Sequence, residues 1–298
     1  MKDKLGCVIV TYNPQEQLLD NVREIMNSID KLVIVDNTEY RSPIINILSE
    51  TYPSSRFLVL WNNCNDGIAK ALNDGCLHLL NNGFDVALLL DQDSYVDNES
   101  IKSLYSLMKV EHKAVITSPQ ICTKNFSKQP LYITYDGGVF IKRKGVYSKP
   151  LPVLFNITSG SLLCLNKWKD LGAFDERLFI ELVDTEYGLR ANKEGYKVII
   201  DSNSQLVQEY GDLSKKKFFG VTFFPTNHSP LRYYYLTRNR FILYREYLGC
   251  YPGYVLWDLV SMAKNIFVIL FLECNRMQKL SYMIKGFKDF LLHRTGKL

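Results

Sequence analysis

The sequence predicts an α/β protein with a mostly parallel, Rossmann-like sheet that carries helices on both faces. Short apolar runs alternate with segments of helical spacing over roughly the first 90 residues. Each run is apolar at every position, and each ends in polar residues. Strands of this kind are typical of parallel sheets whose two faces are both covered by helices.

The elements follow in chain order from this pattern. Four strands are predicted at residues 7–10, 31–35, 57–60 and 86–90. The helices between them have apolar residues three and four apart, at residues 15–29, 43–50 and 68–80. Beyond residue 115 the pattern is mixed. Further strands are predicted at residues 115–119, 132–135, 139–142, 157–164 and 196–200, and helices at residues 166–171 and 184–193.

Composition excludes several classes of protein. The chain has 298 residues, of which 47% are hydrophobic and 22% charged, so it is neither disordered nor fibrous. Its seven cysteines are scattered without a C-x-x-C pair, which argues against a zinc ribbon and against a secreted disulfide framework. The N-terminus runs directly into a strand, and we therefore expect a cytoplasmic protein without a signal peptide.

Charge divides the chain in two. Residues 1–213 carry 22 lysines and arginines against 27 acidic residues, whereas residues 214–298 carry 14 against 4 and hold 18 of the 38 aromatic residues. We predict an α/β domain over 1–213 and a basic, aromatic helical region over 214–298. That region is interpreted as a surface for anionic partners or, alternatively, as a small lobe with solvated charges. Nucleic acid is not expected as a partner, because no recognition motif accompanies the basic residues.

Residues 254–272 form the most apolar stretch of the chain. Asp258 and Lys264 interrupt it, and no charge-free run reaches the length of about 18 residues that a spanning helix needs. Asp258, Ser261 and Asn265 fall on one helical face. The pattern predicts a helix that lies at a membrane surface or packs on a core, rather than one that crosses a membrane.

Polar side chains follow all four early strands. The pairs are Thr11 and Asn13, Asp36 and Asn37, Asn62 and Asn63, and Asp91 and Asp93. Ligands of open parallel sheets bind beyond the carboxyl ends of the strands, so these positions predict one site. The chain has neither G-x-G-x-x-G after the first strand nor a Walker A sequence, which argues against a dinucleotide-binding dehydrogenase and a P-loop enzyme.

Two groups of carboxylates suggest chemistry. Asp91 and Asp93 are two apart on an extended segment, so both can share one Mg²⁺ or Mn²⁺ with a diphosphate; alone, such a pair is more often a turn or a helix cap. Glu181, Asp184 and Glu186 lie within six residues at a predicted helix start. They are interpreted as N-capping and dipole-compensating residues or as the source of a general base.

Several motifs in one order resemble family 2 glycosyltransferases, which have the GT-A fold. They are Val8-Ile9-Val10-Thr11-Tyr12-Asn13, Val35-Asp36-Asn37, Asn62-Asn63 with Gly67, and Leu90-Asp91-Gln92-Asp93-Ser94. Ser159-Gly160-Ser161, Phe179-Ile180 before Asp184, and Asn227-His228-Ser229-Pro230 with Arg232, Arg238 and Asn239 more closely resemble bacterial rhamnosyltransferases of polysaccharide (O-antigen, lipopolysaccharide) assembly.

The resemblance assigns roles residue by residue. It implies that the nucleotide-sugar is bound by Thr11, Tyr12, Asn13, Asp36, Asn37, Asn63, Gly67, Asp91 and Gln92. It implies a divalent metal, Mg²⁺ or Mn²⁺, on Asp93, and a catalytic base at Asp184. It places the acceptor and its diphosphate near Ser159, Gly160, Ser161, Glu186, Arg232 and Arg238. Guanidinium groups suit phosphate oxygens, which agrees with the last two residues.

Two positions depart from the pattern of the family. Glu181 stands where a second Asp is usual, and Gln208 stands where a histidine commonly precedes an aromatic-Gly-Asp segment and ligates the metal. Glutamine is a weaker, neutral oxygen donor, so metal binding is in question. His228 is the other candidate ligand, although a single histidine is more often a hydrogen-bonded structural residue.

The resemblance predicts an inverting hexosyltransferase that moves L-rhamnose from dTDP-β-L-rhamnose to a polyprenyl-diphosphate-linked glycan, peripherally on the inner face of the cell membrane. Two alternatives remain at this stage. One is the same fold with a UDP-hexose or UDP-galactofuranose donor. The other is a non-catalytic subunit that binds a nucleotide-sugar, which the loss of histidine at Gln208 favours and the three aspartates Asp91, Asp93 and Asp184 disfavour.

Overall fold

The computed structural model describes residues 4–123, 130–136, 138–208, 216–218 and 221–298. Its strands are β1 (Leu5–Thr11), β2 (Lys31–Asp36), β3 (Phe57–Trp61), β4 (Val86–Asp91), β5 (Ala114–Thr123), β6 (Leu131–Asp136), β7 (Val139–Lys144), β8 (Leu151–Val153), β9 (Ser161–Cys164), β10 (Lys197–Gln208), β11 (Lys216–Phe218) and β12 (Val221–Phe223). Its α-helices are α1 (Gln17–Ile25), α2 (Pro43–Thr51), α3 (Ile68–Asn81), α4 (Asn98–Val110), α5 (Leu165–Leu171), α6 (Val183–Lys193), α7 (Pro230–Tyr247), α8 (Pro252–Leu272) and α9 (Arg276–Leu291).

The chain divides into two compact units. The first comprises Met1–Thr134, Lys142–Glu176 and Val183–Gln208. The second comprises Tyr135–Ile141, Arg177–Leu182 and Glu209–Leu298. The domain boundary predicted after residue 213 lies outside the described residues. Two earlier segments belong to the second unit, which composition does not predict because each is only a few residues long.

An eight-stranded sheet forms the centre of the first unit, in the order β3-β2-β1-β4-β9-β5-β10-β8. Strands β1 to β4 pair in parallel, as do β5 and β10, whereas β9 is antiparallel to β4 and β5, and β8 is antiparallel to β10. The predicted mostly parallel α/β sheet is therefore confirmed. Strand β9 is shorter than predicted because Gly160, with φ of 78°, turns the chain directly before it.

The register aligns the carboxyl ends of the first four strands. Thr11 lies opposite Asp36 and Asp36 opposite Trp61, while Val10 lies opposite Asp91. The strands are buried on both faces, and Val33, Ile34 and Val35 are fully inaccessible to solvent. Burial of such side chains contributes about 1.5–3 kcal/mol each, so this apolar centre gives the polar strand ends a rigid support.

The second unit is built mainly from α7, α8 and α9, with the two-stranded pair of β11 and β12. Helix α9 approaches α7 closely at Gly286, where a Cβ atom would overlap the carbonyl oxygen of Tyr234. Helix α8 is attached to α7 by a buried ion pair, in which Nε of Arg240 lies 2.9 Å from Oδ2 of Asp258. Among the described residues α8 is the one helix whose length and composition suffice to span a membrane. Of its most apolar stretch of 18 residues, 22% is buried.

Candidate functional site

The carboxyl ends of β1 and β2 are joined by the side chain of Asp36. Its Oδ1 accepts hydrogen bonds from the hydroxyl groups of Thr11, at 2.9 Å, and of Thr38, at 2.6 Å. The hydroxyl of Thr38 also accepts the backbone N–H of Asn13 at 2.9 Å, which fixes Asn13 with its left-handed φ of 49°. Residues predicted from two separate motifs thus form one connected polar group through Thr38.

The asparagines after β2 and β3 continue this group toward α3. Nδ2 of Asn62 donates to Oδ1 of Asn37 at 2.9 Å, and Nδ2 of Asn37 donates to the carbonyl oxygen of Gly67 at 3.1 Å. Gly67 stands at the N-terminus of α3 with φ of 87°, a conformation that favours glycine. Asn63 lies in the same connection with φ of 56°. The loop is therefore held by side-chain amides rather than by a glycine-rich turn.

One oxygen of Asp36 is left without a partner. Asp36 is 1% exposed, and its Oδ2 is buried and accepts no hydrogen bond from the described residues. Asp36 lines a cavity of about 260 Å³ together with Arg41 and Trp61, whose indole carries the Arg41 guanidinium 5.1 Å from its centroid. A second cavity of about 380 Å³ is lined by Tyr12, Asn13, Thr38 and Arg41, among others. A buried carboxylate oxygen without a donor is suited to a ligand that brings one.

The segment after β4 is held against β1 and against the loop before β9. Oε1 of Gln92 accepts the backbone N–H of Tyr12 at 2.9 Å. The backbone N–H of Asp91 donates to Oγ of Ser159 at 3.0 Å. Asp91 is exposed as a residue, yet desolvation of its carboxyl group and the negative charge of Asp93 raise its pKa, and Ser159 lowers it in part. The two carboxylates thus repel each other at this position.

Two neighbouring carboxylates fit a divalent metal only in part. Mg²⁺ and Mn²⁺ prefer oxygen ligands, and Mg²⁺ is commonly held by one or two carboxylates together with substrate phosphates. The donor set of Asp91 and Asp93 agrees with this arrangement. Over the described ranges, however, no three His, Cys, Asp or Glu side chains lie close enough together to hold a metal by themselves. Phosphate oxygens of a substrate are the kind of ligand that commonly completes such a site.

His228 lies in the second unit, before α7. Partial burial and the positive charge of Arg232 lower its pKa, so the imidazole is neutral near pH 7. Its ring centroid is 6.1 Å from that of Tyr233. A neutral imidazole can ligate a metal or accept a hydrogen bond, and the metal role of His228 stays a prediction. The side chain of Gln208 and residues 209–212 lie outside the described residues.

The residues Ser159, Gly160 and Ser161, expected on the acceptor side, have structural contacts instead. Ser161 is fully buried, and its hydroxyl lies 2.7 Å from that of Ser118 and donates to the carbonyl oxygen of Ile157 at 2.9 Å. Ser159 is also buried, and its Oγ accepts the hydrogen bond from the backbone N–H of Asp91. Ser159 thus supports the end of β4, Ser161 supports the loop before β9, and their contact with the acceptor stays a prediction.

Glu186 corrects a second expectation. It was predicted near the acceptor diphosphate, but it is 3% exposed and forms a two-point ion pair with Arg190, at 2.9 and 3.0 Å. The same guanidinium donates to the carbonyl oxygens of Leu171, Gly172 and Ala173. A carboxylate one helical turn before an arginine forms such a pair readily, and here the pair anchors the loop after α5.

Asp184 lies in the first turn of α6, one residue after the helix begins. It is partly exposed, and its Oδ1 accepts the backbone N–H of Thr185 at 2.7 Å. The N-terminus of a helix favours a negative charge, and a carboxylate is common in this position. The role of Asp184 as catalytic base stays a prediction.

The two arginines of α7 differ in their surroundings. Arg232 is exposed and forms an ion pair through its Nε with Oε1 of Glu181. Arg238 was expected to contact a diphosphate, but it is 1% exposed and its guanidinium donates to the carbonyl oxygens of Arg177, Leu178 and Gly296. These contacts give the guanidinium a structural role and do not support the predicted contact of Arg238 with a diphosphate.

Sequence reasoning missed three residues of these groups. Thr38 connects Asp36 with Asn13, and Trp61 donates its indole N–H to the carbonyl oxygen of Thr38 at 2.9 Å. Asn239 is fully buried and contacts three carbonyl oxygens. Thr38 was accessible to sequence reasoning, since it directly follows Asp36-Asn37. The contacts of Asn239 lie about 60 residues away along the chain and leave no local signal.

Comparisons with known proteins agree with the fold and show the family of the chain. The family model described as glycosyl transferase family 2 matches residues 7–170. The dTDP-rhamnosyl transferase RfbF of Shigella flexneri is 31% identical over 255 residues, which are 83% of this chain and 81% of that protein.

Solved structures resemble this chain at low identity. A fragment of S. aureus TarS has a TM-score of 0.64 at 13% identity and is matched over 98% of this chain and 82% of its own. GalNAc-T7, solved with UDP, GalNAc and Mn²⁺, has a TM-score of 0.61 at 14% identity over 85% of this chain, which spans about half (49%) of its length. Both likenesses concern the fold alone. The family model and the relative together show that this chain belongs to glycosyltransferase family 2 and is a glycosyltransferase of the GT-A fold.

Proposed function

We propose that this glycosyltransferase is inverting and transfers L-rhamnose from dTDP-β-L-rhamnose to a glycan linked to polyprenyl diphosphate. The donor is supported by the 31% identical relative that is named a dTDP-rhamnosyl transferase and is matched over 81% of its length. The acceptor is inferred from the sequence resemblance to rhamnosyltransferases of polysaccharide assembly. The basic charge of residues 214–298 agrees with an acceptor that carries phosphate.

The observation that carries the proposal is the unpartnered oxygen of Asp36. Oδ1 of this carboxylate accepts from Thr11 and Thr38, while Oδ2 is buried beside a cavity and accepts no hydrogen bond within the described part of the chain. Thymine and uracil each present a ring N–H that can donate to such an oxygen. A nucleobase in this position supplies the missing donor and leaves the diphosphate free to extend toward Asp91 and Asp93, at the neighbouring strand ends.

The reaction that we propose forms a bond between an acceptor hydroxyl oxygen and the anomeric carbon while the bond from that carbon to the diphosphate breaks. Asp184 takes the proton of the attacking hydroxyl, and attack from the face opposite the leaving group inverts the anomeric centre. Asp93, with Asp91 beside it, would hold the divalent metal together with the diphosphate. When bound, the metal offsets the negative charge that grows on the leaving nucleotide.

We also propose that the second unit docks on an anionic membrane surface through α8. One face of α8 carries exposed residues that are almost entirely apolar, towards both ends of the helix. They are Leu256, Leu259, Val260, Ala263, Lys264, Leu270 and Phe271, and they are called the α8 stripe below. On the opposite face Tyr254 is buried, and Asp258 forms a buried ion pair with Arg240 of α7. A helix attached to the protein on one face and apolar on the other lies along a bilayer surface rather than across it.

The donor is tested by thermal-shift titration with dTDP, UDP and GDP, each with and without Mg²⁺ or Mn²⁺, followed by turnover of the corresponding nucleotide-sugars. A ligand that binds only the folded state raises the melting temperature by mass action. We expect the largest shift with dTDP and metal, and turnover of dTDP-β-L-rhamnose. Selective stabilisation by UDP contradicts the proposed donor, and no shift with any nucleotide contradicts donor binding itself.

The base is tested separately by the substitution Asp184→Asn. The amide cannot take the proton, so we expect turnover to fall to background while dTDP affinity stays within about twofold, because the nucleotide binds at the strand ends. Asp170→Asn, at an exposed position of α5, is the control and should keep both properties. Ordinary turnover by the Asp184→Asn enzyme removes the base assignment.

A further inference from the structure

The segment that precedes α6 has an unusual backbone. Phe179, Glu181 and Leu182 have φ values of 64°, 64° and 62°, in the left-handed region that residues other than glycine rarely adopt. Three such residues within four positions persist only where surrounding contacts determine the conformation. Since the segment belongs to the second unit, its supporting contacts are found within that unit.

The side chain of Asn239 supplies most of this support. Its Nδ2 lies 2.9 Å from the carbonyl oxygen of Leu178, 2.7 Å from that of Ile180 and 2.9 Å from that of Glu181. An amide nitrogen carries two hydrogens, so three carbonyl groups share two donors. Asn239 is completely buried, so its amide is shielded from water and is available to these carbonyl oxygens.

Arg238 completes the arrangement from the adjacent position of α7. Its Nε donates to Oδ1 of Asn239 at 3.1 Å, which orients the amide with its nitrogen toward the segment. Its Nη2 donates to the carbonyl oxygens of Arg177 and Leu178, each at 3.1 Å. Two neighbouring side chains of one helix thus hold four carbonyl groups between Arg177 and Glu181. The aromatic ring of Phe179 stacks on Tyr235 at 5.0 Å and fixes the segment from a further side.

The segment is directly connected to the proposed base. It ends at Leu182, α6 begins at Val183, and Asp184 is the next residue. Glu181, within the segment, is 15% exposed at its side chain and is paired with Arg232. The conformation of the segment is therefore followed without interruption by the helical turn that carries Asp184.

We propose that Asn239 is a positioning residue for glycosyl transfer, which holds residues 178–181 in the conformation that orients the first turn of α6 and its Asp184. The inference rests on the proposed role of Asp184 as base. Asn239 touches neither donor nor acceptor in this account and acts through the backbone of the segment. Its loss should therefore lower the rate of the chemical step and leave donor binding unchanged.

The test is the nearly isosteric substitution Asn239→Asp, which places carboxylate oxygens against carbonyl oxygens. We expect kcat to fall about 10- to 100-fold, the range associated with a displacement of about 1 Å at a reacting group. The Kd for dTDP, measured by calorimetry, should stay within about twofold. The defect should also diminish as the pH is lowered, because a protonated carboxyl can donate one hydrogen bond again.

A matched control separates positioning from general loss of stability. Gln120 is also fully buried, and its amide nitrogen donates to the carbonyl oxygens of Tyr147 and Ser202. Gln120→Glu is the same change of amide to acid, in a strand that carries no candidate residue. It should lower the melting temperature, while kcat of the folded fraction stays unchanged. If Asn239→Asp is not recovered folded, Asn239→Ser, which leaves no charge, is used with the same expectation for kcat and Kd.

The outcomes are distinguishable when Asp184→Asn is measured in parallel. An inactive Asp184→Asn enzyme together with a selective loss of kcat in Asn239→Asp supports the inference. An inactive Asp184→Asn enzyme together with an Asn239 variant that behaves like Gln120→Glu overturns the positioning role and leaves the base assignment intact. Ordinary turnover by Asp184→Asn overturns the base assignment, and the inference with it.

Discussion

The hydroxyl of Thr11 donates to Oδ1 of Asp36 at 2.9 Å, across the carboxyl ends of two parallel strands that lie in register. Thr38 donates to the same oxygen at 2.6 Å. This sharing divides the carboxylate into two functional halves, because one oxygen is used to hold the loops and the other is left for a ligand. The role of Asp36 can therefore be tested by replacing one carboxylate oxygen with an amide nitrogen.

Asp36→Asn should weaken nucleotide binding without unfolding the protein. The amide oxygen can keep the bonds from Thr11 and Thr38, while the amide nitrogen places a donor where the proposed nucleobase N–H also donates. We expect the Kd for dTDP to rise about 10- to 100-fold, the range for loss of a hydrogen bond to a charged group. Calorimetry measures this. Asp20→Asn, at an exposed carboxylate paired with Arg23, should leave the Kd unchanged. Equal affinities of the Asp36 variant and the wild type contradict the assignment.

The comparison of Asp36 with Glu186 explains how much the sequence could predict. Asp36 lies at the end of a buried strand, and its neighbours follow from the rule that parallel strand ends converge. The family, the GT-A sheet and the polar strand ends could be predicted because all three depend on local patterns. Glu186 has an equally suggestive local pattern, yet the structure pairs it with Arg190. A carboxylate at the start of a helix has the same sequence pattern whether it binds a ligand or forms an ion pair within the protein. Only the burial of its side chain distinguishes the two roles.

Arg238 and Asn239 illustrate the same limit over a longer distance. Their position in a basic, aromatic segment indicates a phosphate surface. Their partners are main-chain carbonyl groups of residues 177–181. Contacts to main-chain carbonyl groups cannot be predicted from a pattern of residue types. Which arginine of a helix faces solvent depends on the element that packs against it, and that information is not local.

Glu186→Gln should lower stability rather than activity. Removal of the charge leaves the Arg190 guanidinium largely buried without its counterion, and breaking a buried pair in this way costs about 3 kcal/mol. We expect a lower urea midpoint with an unchanged Kd for dTDP and unchanged kcat of the folded enzyme. Lys102→Gln, which breaks the exposed pair with Glu99, should change stability by less than about 1 kcal/mol. Lost turnover at full stability instead restores the expectation that Glu186 contacts the acceptor.

Asp91 should make stability depend on pH in a defined direction. Desolvation and the charge of Asp93 raise its pKa in the folded state, so the folded protein binds more protons than the unfolded chain. The contribution of Asp91 to the free energy of unfolding is therefore most favourable below the ordinary pKa of 3.8. It is lost as the pH rises through the raised pKa of the folded state. Asp91→Asn should be more stable than the wild type at pH 7, and the difference should shrink toward pH 4. Urea unfolding across this range measures it.

Asp97 provides a control of opposite sign for that experiment. Partial burial raises its pKa, but hydrogen bonds from Ser100 outweigh this and lower it. Relative to the wild type, Asp97→Asn should therefore become less stable as the pH rises. Over the same pH range Asp91→Asn should become more stable relative to the wild type. Millimolar Mg²⁺ should reduce the advantage of Asp91→Asn, since a cation relieves the repulsion between Asp91 and Asp93. Parallel pH profiles for both variants contradict the electrostatic account.

The α8 stripe should determine membrane association. Leu256 is 66% exposed and Val260 63% exposed, so the double substitution Leu256→Glu and Val260→Glu replaces apolar groups that no protein contact requires. We expect the wild type to float with vesicles rich in phosphatidylglycerol and the double variant to stay in the soluble fraction. Val110→Glu, at a 75% exposed position of α4 in the first unit, adds the same kind of charge and should float as the wild type does.

Because Lys264 lies within the stripe, flotation should weaken with rising salt. A wild type that never floats contradicts docking, and a wild-type dimer that the α8 double substitution dissociates assigns the stripe to a protein interface instead.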